Sequence, residues 1–385
     1  MKRKVCVVVT ARPSYSRIKT ALLAMKKHPN IELQLVVAAS ALLDKYGNVV
    51  NEIINDGFEI TSRVYNVVEG ENLVTSAKTA GLGIIELSTV FLNIKPDVIV
   101  TIADRYETIA TAIAASYMNI PLAHIQGGEV TGNIDEKVRH AITKLSDLHF
   151  VATDKARERV LKMGENSEKV FVTGCPSIDI AHHIVEQSDT LHQFDPVEKY
   201  PGVGRLLENR ERYVVVMQHP VTTEIEKSKD QILATLEAVS EIGKQVYWFW
   251  PNVDAGSDVT SKGIRMFREK RNPDNIYFFK NMSPEDFLIL LKNSDCIIGN
   301  SSVAIRECSY LGVPAINIGS RQVGRERGRN VIDTGYDKNA ILDAYYRITL
   351  DHKVKDKLYG DGRAGERIAE IIAEVPLTNQ KILSY

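Results

Sequence analysis

Short apolar, β-branched runs alternate along this chain with longer stretches of helical period, and this alternation narrows the fold to one class. A run such as Val98–Ile102 is β-branched throughout and apolar except for Thr101, with no alternation of polar residues, so both of its faces must be covered. Strands of that kind with amphipathic stretches between them form parallel sheets, because a parallel neighbour is reached only through a crossover connection. In the first half these runs are Val5–Thr10, Leu33–Ala38, Val98–Ile102, Leu122–Ile125, Leu148–Ala152 and Val170–Thr173, which predict one doubly wound domain. The pattern lapses around Cys175-Pro176 and the polar stretch Gln187–Asp195. It resumes with Tyr213–Met217, Gln245–Phe249, Ile276–Phe279, Cys296–Gly299 and Ala315–Ile318. A chain of 385 residues is also too long for one ordinary core. The expected fold is therefore α/β, with two Rossmann-like domains facing a cleft, over residues 1–180 and 196–364. The last stretch, about 365–385 with helical Gly365–Ala373, is expected to pack back on the first domain.

A net charge of -1, with 25% charged and 44% hydrophobic residues, describes a globular chain with no electrostatic bias toward nucleic acid or an anionic membrane. Any phosphate site must then be local. Cys6, Cys175, Cys296 and Cys308 lie far apart, and three of them sit in apolar patterns, which points to buried thiols in a reducing compartment and to no metal centre. The start, Met1-Lys2-Arg3-Lys4 before Val5–Thr10, has the charge of a signal peptide but too short an apolar stretch. It reads as a first buried strand of a cytoplasmic protein.

Open α/β sheets bind ligands beyond the carboxyl ends of their strands. There the run His124–His140, His-Ile-Gln-Gly-Gly-Glu-Val-Thr-Gly-Asn-Ile-Asp-Glu-Lys-Val-Arg-His, gathers two histidines with the acids Glu129, Asp135 and Glu136. Asp104-Arg105 follows the preceding strand, so two consecutive strand ends deliver acids and a base toward one crevice. The plainer reading is that Gly127-Gly128 forms a turn and Asp135 caps the next helix. After the first strand, Thr10-Ala11-Arg12-Pro13-Ser14-Tyr15-Ser16-Arg17 takes the place of a glycine-rich turn and brings Arg12 and Ser16 to the cleft.

The second half carries a phosphate signal. Gly299-Asn300-Ser301-Ser302 reads as a tight turn into a helix, whose N-terminus with Ser301 and Ser302 attracts anions. Glu307, about one and a half turns along that helix, is placed to accept hydrogen bonds from a ribose diol. Gln218-His219-Pro220 and Trp250-Pro251-Asn252 follow neighbouring strands, which puts His219 and Asn252 at adjacent strand ends, and Arg321 lies in an arginine-rich loop after another strand. Neither a Walker A spacing nor a G-x-G-x-x-G fingerprint occurs.

Taken in order, Arg12 with Tyr15-Ser16, Asp104-Arg105, His124–His140 running into Ala141-Ile142-Thr143-Lys144-Leu145, His219–Thr223, Asp254–Ser257, Gly299–Ser302, Arg321–Glu326 and Gly360-Asp361-Gly362 resemble the UDP-N-acetylglucosamine 2-epimerases, specifically the hydrolysing branch of sialic acid synthesis. The resemblance spans almost the whole chain. It implies a two-domain fold of glycosyltransferase-B type, a homodimer or homotetramer, a UDP-sugar substrate, and no metal or redox cofactor. It also implies elimination of UDP from C1 with loss of the C2 proton, giving 2-acetamidoglucal, and then hydration with inversion at C2 to release N-acetylmannosamine. On that correspondence Asp104 and Asp135 belong among the proton-transfer groups, and Arg105 and His219 at the sugar and diphosphate. Asp135, near a helix N-terminus, suits a base better than an acid. Met282 joins Arg12, Ser16, Asn252, Ser301, Ser302, Glu307 and Arg321 in the substrate-binding set.

One position departs from the pattern of that branch. Members read histidine, apolar residue, glutamate before the glycine pair, whereas this chain has Gln126, and an amide cannot transfer a proton as a carboxylate does. Either Glu129 takes over, or Asp104 and Asp135 suffice, or the sugar differs and Gln126 hydrogen-bonds a substituent such as a 4-acetamido group. The last account points to the 2-epimerases of N,N'-diacetylbacillosamine in legionaminic acid synthesis. A UDP-sugar glycosyltransferase, or a binder without turnover, would keep the second-half motifs, and the acid-rich run argues for elimination over transfer.

Overall fold

The computed structural model describes residues 2–44, 49–70, 72–130, 134–187, 194–221, 223–251 and 257–384. The chain divides into two compact units. The first comprises the chain up to Glu129, Ile134–Ile180 and the return from Tyr359. Its strands are β1 (Arg3–Val9), β2 (Ile31–Ala38), β3 (Ser62–Val64), β4 (Val98–Ile102), β5 (Leu122–Ile125), β6 (Leu148–Val151) and β7 (Val170–Val172), in the order β3-β2-β1-β4-β5-β6-β7. All pairings in this sheet are parallel, with Val5 opposite Leu33 on one side and Val98 on the other.

The alternation of side chains along β1 builds two layers. Val5, Val7 and Val9 join one core with helix Lys19–Lys27, while Cys6 and Val8 join another with Leu87 and Phe91 of helix Leu73–Ile94. That is why the central strands carry few polar residues, and those they do carry, such as Thr101 and His124, are buried. The returning helix Ala364–Glu374 inserts Ile368, Ala369 and Ile372 into the first of these cores. Its N-terminus is capped by Asp179, which accepts from the amides of Ala364 at 2.9 Å and Gly365 at 2.7 Å and from the Thr20 hydroxyl at 2.8 Å.

The second unit comprises Val130 and Ala181–Leu358 among the described residues. It holds β8 (Gly202–Gly204), β9 (Tyr213–Met217), β10 (Gln245–Phe249), β11 (Ile276–Phe279), β12 (Cys296–Gly299), β13 (Ala315–Ile318) and β14 (Val331–Thr334). Their order is β14-β13-β12-β9-β10-β11-β8, parallel except for β8 on β11.

Every strand expected from an apolar run is present, with ends shifted by at most two residues. Three strands are additional: β3, β8 and β14. Each lies at a sheet edge, where one flank is unpaired and half-exposed, so no apolar run marks it. The break in pattern at Cys175-Pro176 is the start of helix Pro176–Glu186, with proline at its first position, where no amide partner is required. All four cysteines are buried, and among the described residues they form no disulfide.

A β-carbon added at Gly365 would lie 2.6 Å from the carbonyl carbon of Thr20, so the returning helix rests directly on backbone. Gly365→Val is expected to lower stability by about 1–3 kcal/mol through overpacking, read as a lower melting temperature. An unchanged melting temperature would show that this helix does not close the first core.

Candidate active site

In both sheets the strand order reverses between two central strands, β1 and β4 in one and β9 and β12 in the other. Connections leave such a pair in opposite directions and open a crevice beyond the carboxyl ends. The polar residues singled out from the sequence gather at these two places.

In the first unit, Ala103 after β4 and Gln126 after β5 both take left-handed backbone, with φ of 63° and 65°. For residues with a β-carbon that conformation costs roughly 1–2 kcal/mol each. It turns the chain sharply off two adjacent strands and sets Asp104 and the glycine pair at their ends. Gly128 has φ 75°, and a β-carbon there would meet the Ala156 carbonyl oxygen at 2.3 Å, so the pair is a steric requirement as well as a turn.

Asp104 is buried, at 6% exposure. Its carboxylate bonds the Arg139 guanidinium and faces that of Arg17 at 3.7 Å. Arg139 is itself 1% exposed and donates from Nη1 to the Glu129 carbonyl oxygen at 3.0 Å. Arg139 lies on helix Ile134–Leu145, one turn after Asp135, so both occupy one face. The structure thus brings Asp104, Arg139 and the Glu129 backbone together, with Asp135 at the first turn of the helix that supplies the arginine.

Other expected residues are placed differently. Gln126 is buried, its amide nitrogen donates to Cys175 Sγ at 2.8 Å, and that sulfur lies 2.9 Å from the Ser177 hydroxyl. Its carbonyl oxygen has no hydrogen-bond partner among the described residues. Arg105 directs Nε to the buried Glu107 carboxylate at 2.9 Å. Arg12 and Ser16 bound the short helix Arg12–Ser16, where the Ser16 hydroxyl donates to the Pro13 carbonyl at 3.2 Å, and it is the next residue, Arg17, that reaches Asp104.

Of the two histidines of the run, His124 is structural. It is fully buried, with Nδ1 3.1 Å from the Thr143 hydroxyl and Nε2 2.9 Å from the Ala103 carbonyl oxygen. Burial holds its pKa down to about 3. His140 pairs with Glu136 at 2.9 Å along the helix.

In the second unit Asn300 bridges the reversal. Its side chain accepts from the His219 amide at 2.7 Å and donates to the His219 carbonyl at 2.8 Å. The Asn300 carbonyl oxygen accepts from Arg321 Nη1 at 3.2 Å and from Gln322 Nε2 at 2.8 Å. His219 and Arg321 therefore meet at one residue. Gly299, at φ 140°, makes the approach possible, since a β-carbon there would sit 2.1 Å from the Met217 carbonyl oxygen.

Beyond this turn the expected continuous helix is corrected. Ser301 caps a 3-10 turn, Ser302–Ala304, and the α-helix starts only at Glu307 and ends at Leu311. At the break Arg306 folds back, its Nη2 bonding the Ser302 hydroxyl at 3.0 Å from a side chain 1% exposed. Glu307 is thus the first helical residue rather than one and a half turns along, and it stays buried beside Arg306 at 3.9 Å. Met282 is buried in the loop after β11, its amide held by Asn281 Oδ1 at 2.8 Å. Asn252 lies outside the described residues.

Arg17, Arg139, Asn300 and Arg306 were not singled out as site residues. A charge four residues beyond Asp135 reads as the solvated face of a helix, and only packing shows that Arg139 points inward.

The model of the UDP-N-acetylglucosamine 2-epimerase family matches residues 23–373. The chain is 34% identical over 385 residues to the UDP-N,N'-diacetylbacillosamine 2-epimerase (hydrolyzing) of Legionella pneumophila, covering 99% of this chain and 98% of that protein. It is 31% identical to the UDP-N-acetylglucosamine 2-epimerase of Neisseria meningitidis, over 97% of this chain and 95% of that protein. Among solved structures, the Neisseria meningitidis UDP-GlcNAc 2-epimerase bound to UDP-GlcNAc matches with a TM-score of 0.77 and 20% identity, over 96% of this chain and 99% of that one. The fold is the α/β glycosyltransferase-B type that such structures share.

With its folded pKa near 3 against about 6.5 for an unperturbed histidine, His124 binds fewer protons folded than unfolded. Its contribution to stability is complete above pH 6.5 and is lost as pH falls from there toward 3. In an NMR titration the His124 ring is expected to stay neutral from pH 8 to pH 5, and a midpoint near 6.5 in the folded protein would contradict the buried assignment.

Proposed function

Because the chain belongs to the UDP-N-acetylglucosamine 2-epimerase family, we propose that it is a hydrolysing 2-epimerase acting on a UDP-linked 2-acetamido sugar. A base takes the C2 proton, the C1–O bond breaks, and UDP leaves with the bonding electrons to give a glycal. Water then adds its hydroxyl at C1 while C2 takes a proton on the opposite face, so UDP and a free 2-epimeric sugar are the products. The observation that carries this reading is the gathering of Asp104, Glu129 and Arg139 at the reversal in the first sheet, with Asp135 on the same helix face as Arg139. Elimination and hydration need groups that accept and donate protons near one carbon, and this cluster supplies acids for both.

Held by Arg139 and facing Arg17, Asp104 offers an anion that accepts a proton. Asp135 sits in the first turn of its helix, where the macrodipole favours the ionised form. Glu129, buried as well, takes the donor's part. In the second unit, Ser301, Ser302, Glu307, His219 and Arg321 are the groups for UDP, with the serines and arginine at the phosphates and Glu307 at the ribose.

The first reading of the sugar is N-acetylglucosamine, released as N-acetylmannosamine for sialic-acid-type synthesis. A 2,4-diacetamido-6-deoxy sugar is the second, favoured by Gln126, whose amide oxygen has no partner among the described residues and suits an acetamido N–H. The Legionella pneumophila relative carries that substrate in its name.

Incubation with each UDP-sugar in heavy water, without acceptor, tests both points. UDP plus free sugar carrying deuterium at C2 is expected. An epimerised UDP-sugar would indicate the reversible branch, retention of the original C2 hydrogen would rule out elimination, and no reaction would leave a transferase or binder.

Asp104→Asn and Asp135→Asn are each expected to lower kcat by about a hundredfold or more with UDP affinity nearly unchanged, because the amide keeps the shape and loses the transferable proton. Glu129→Gln decides whether Glu129 shares that work: a similar loss assigns it, near-normal turnover leaves the two aspartates. Glu307→Ala is expected to do the reverse and weaken UDP binding by about 1–3 kcal/mol in calorimetry. Unchanged affinity would remove the ribose role.

A further inference from the structure

Beyond the returning helix Ala364–Glu374, residues 376–384 form neither helix nor strand, yet they are tied to the first unit along their length. The Pro376 carbonyl accepts from Lys169 Nζ at 2.9 Å, the Asn379 side-chain amide donates to the Asn119 carbonyl at 3.2 Å, and the Ser384 amide donates to the Gly164 carbonyl at 2.9 Å. Apolar burial does little of this holding, since Ile382 is 80% exposed and Leu383 51%. Lys381, just before them, turns inward instead, with a side chain 26% exposed.

The Lys381 ammonium lies at the carboxyl end of helix Ile134–Leu145, the helix that carries Asp135 and Arg139. It donates to the carbonyls of Thr143, at 3.3 Å, and Ser146, and pairs with Glu165 at 2.7 Å. The last carbonyls of a helix lack intrahelical partners and bear its partial negative charge, so a cation there both satisfies and complements them. Glu165 is buried and also takes Lys144 at 2.6 Å and His149 Nε2 at 3.0 Å. Burial alone would raise the pKa of this carboxyl, but His149 and the two lysines hold it down to about 2, so it is ionised at neutral pH.

Two links run from this cap to Asp104. Thr143, whose carbonyl Lys381 holds, meets His124 through its hydroxyl, and His124 meets the carbonyl of Ala103, the residue before Asp104. Arg139 lies one turn before Thr143 on the same helix face and bonds Asp104 itself. A shift of the helix along its axis would disturb both links at once. We propose that, for the 2-epimerase reaction inferred above and resting on that reading, Lys381 is a positioning residue: by capping this helix against Glu165 it fixes where Arg139 meets Asp104 and where Asp135 is presented.

The test is steady-state kinetics of the full chain on each UDP-sugar, with amide hydrogen exchange in helix Ile134–Leu145 as a second reading that needs no substrate. Lys381→Met keeps the length of the side chain and removes its charge. It is expected to lower kcat by about tenfold with KM and UDP affinity within about twofold, since a small misplacement of reacting groups acts on the chemical step. Exchange at Arg139 and His140 is expected to quicken by about threefold or more, while helix Lys19–Lys27 keeps its rate. Lys381→Arg still offers donors to the carbonyls and a charge to Glu165, and is expected to return kcat to within about threefold of the original. In the Asp104→Asn protein, where the positioned group is already lost, Lys381→Met is expected to cost less than about twofold more. An unchanged kcat, a loss that Lys381→Arg does not relieve, or a loss of full size in the Asp104→Asn protein would reduce Lys381 to an anchor of the chain and overturn the proposal. Normal turnover of the unaltered protein beside unchanged exchange in Lys381→Met would remove Lys381 alone, whereas no turnover of either UDP-sugar by the unaltered protein would remove the reading of function and the catalytic role with it.

Discussion

Where the order of strands in a parallel sheet reverses, two neighbouring chains leave their strands in opposite directions, and the backbone groups just beyond lose the ladder that served them. Each unit closes that gap with different chemistry. Between β9 and β12 the closure is neutral: the Asn300 side chain both accepts from and donates to the backbone of His219. A carboxamide offers donor and acceptor side by side on one flat group. Aspartate in its place would turn an oxygen toward the His219 carbonyl. The amide thus orients His219, and its own carbonyl oxygen collects Arg321 and Gln322.

Between β1 and β4 the closure is ionic, with Asp104 against Arg139 and Arg17. A buried ion pair adds little net stability, because desolvation offsets most of the attraction, yet removal of one partner costs about 3–5 kcal/mol. The left-handed residues Ala103 and Gln126 add backbone strain at the same edge. Charge and strain concentrated where the fold gains least from them point to chemistry as their reason. The contrast also suits the ligand: a site for an anion is best lined by amides, hydroxyls and a cation, and a site for proton transfer needs acids whose charge state is held by neighbours.

The legible parts of this architecture were those fixed by burial on two faces. Central strands such as β4, β9 and β10 stand where their apolar runs put them, while β3, β8 and β14, each with one open edge, left no such trace. Polar strand ends were legible as a set, because parallel strands all deliver their carboxyl ends to one edge. Individual roles were not. His124 looked like a chemical group and is a neutral strut between β4 and the helix that carries Asp135. Glu307 was displaced because the chain after Ser301 forms a 3-10 turn and the α-helix begins only at Glu307, a local choice that the serine and glycine signals do not distinguish from a continuous helix.

Gln126 shows how a single substitution redistributes chemistry at such an edge. Its amide donates to Cys175, whose sulfur lies beside the Ser177 hydroxyl. The end of β5 is consequently uncharged, between a neutral His124 and a glycine pair that steric contact fixes. The acids lie on either side of it, Asp104 at the end of β4 and Glu129 and Asp135 beyond the glycines. On the proposed function, the amide that stands in the glutamate's place thus leaves proton transfer to the acids on either side of it.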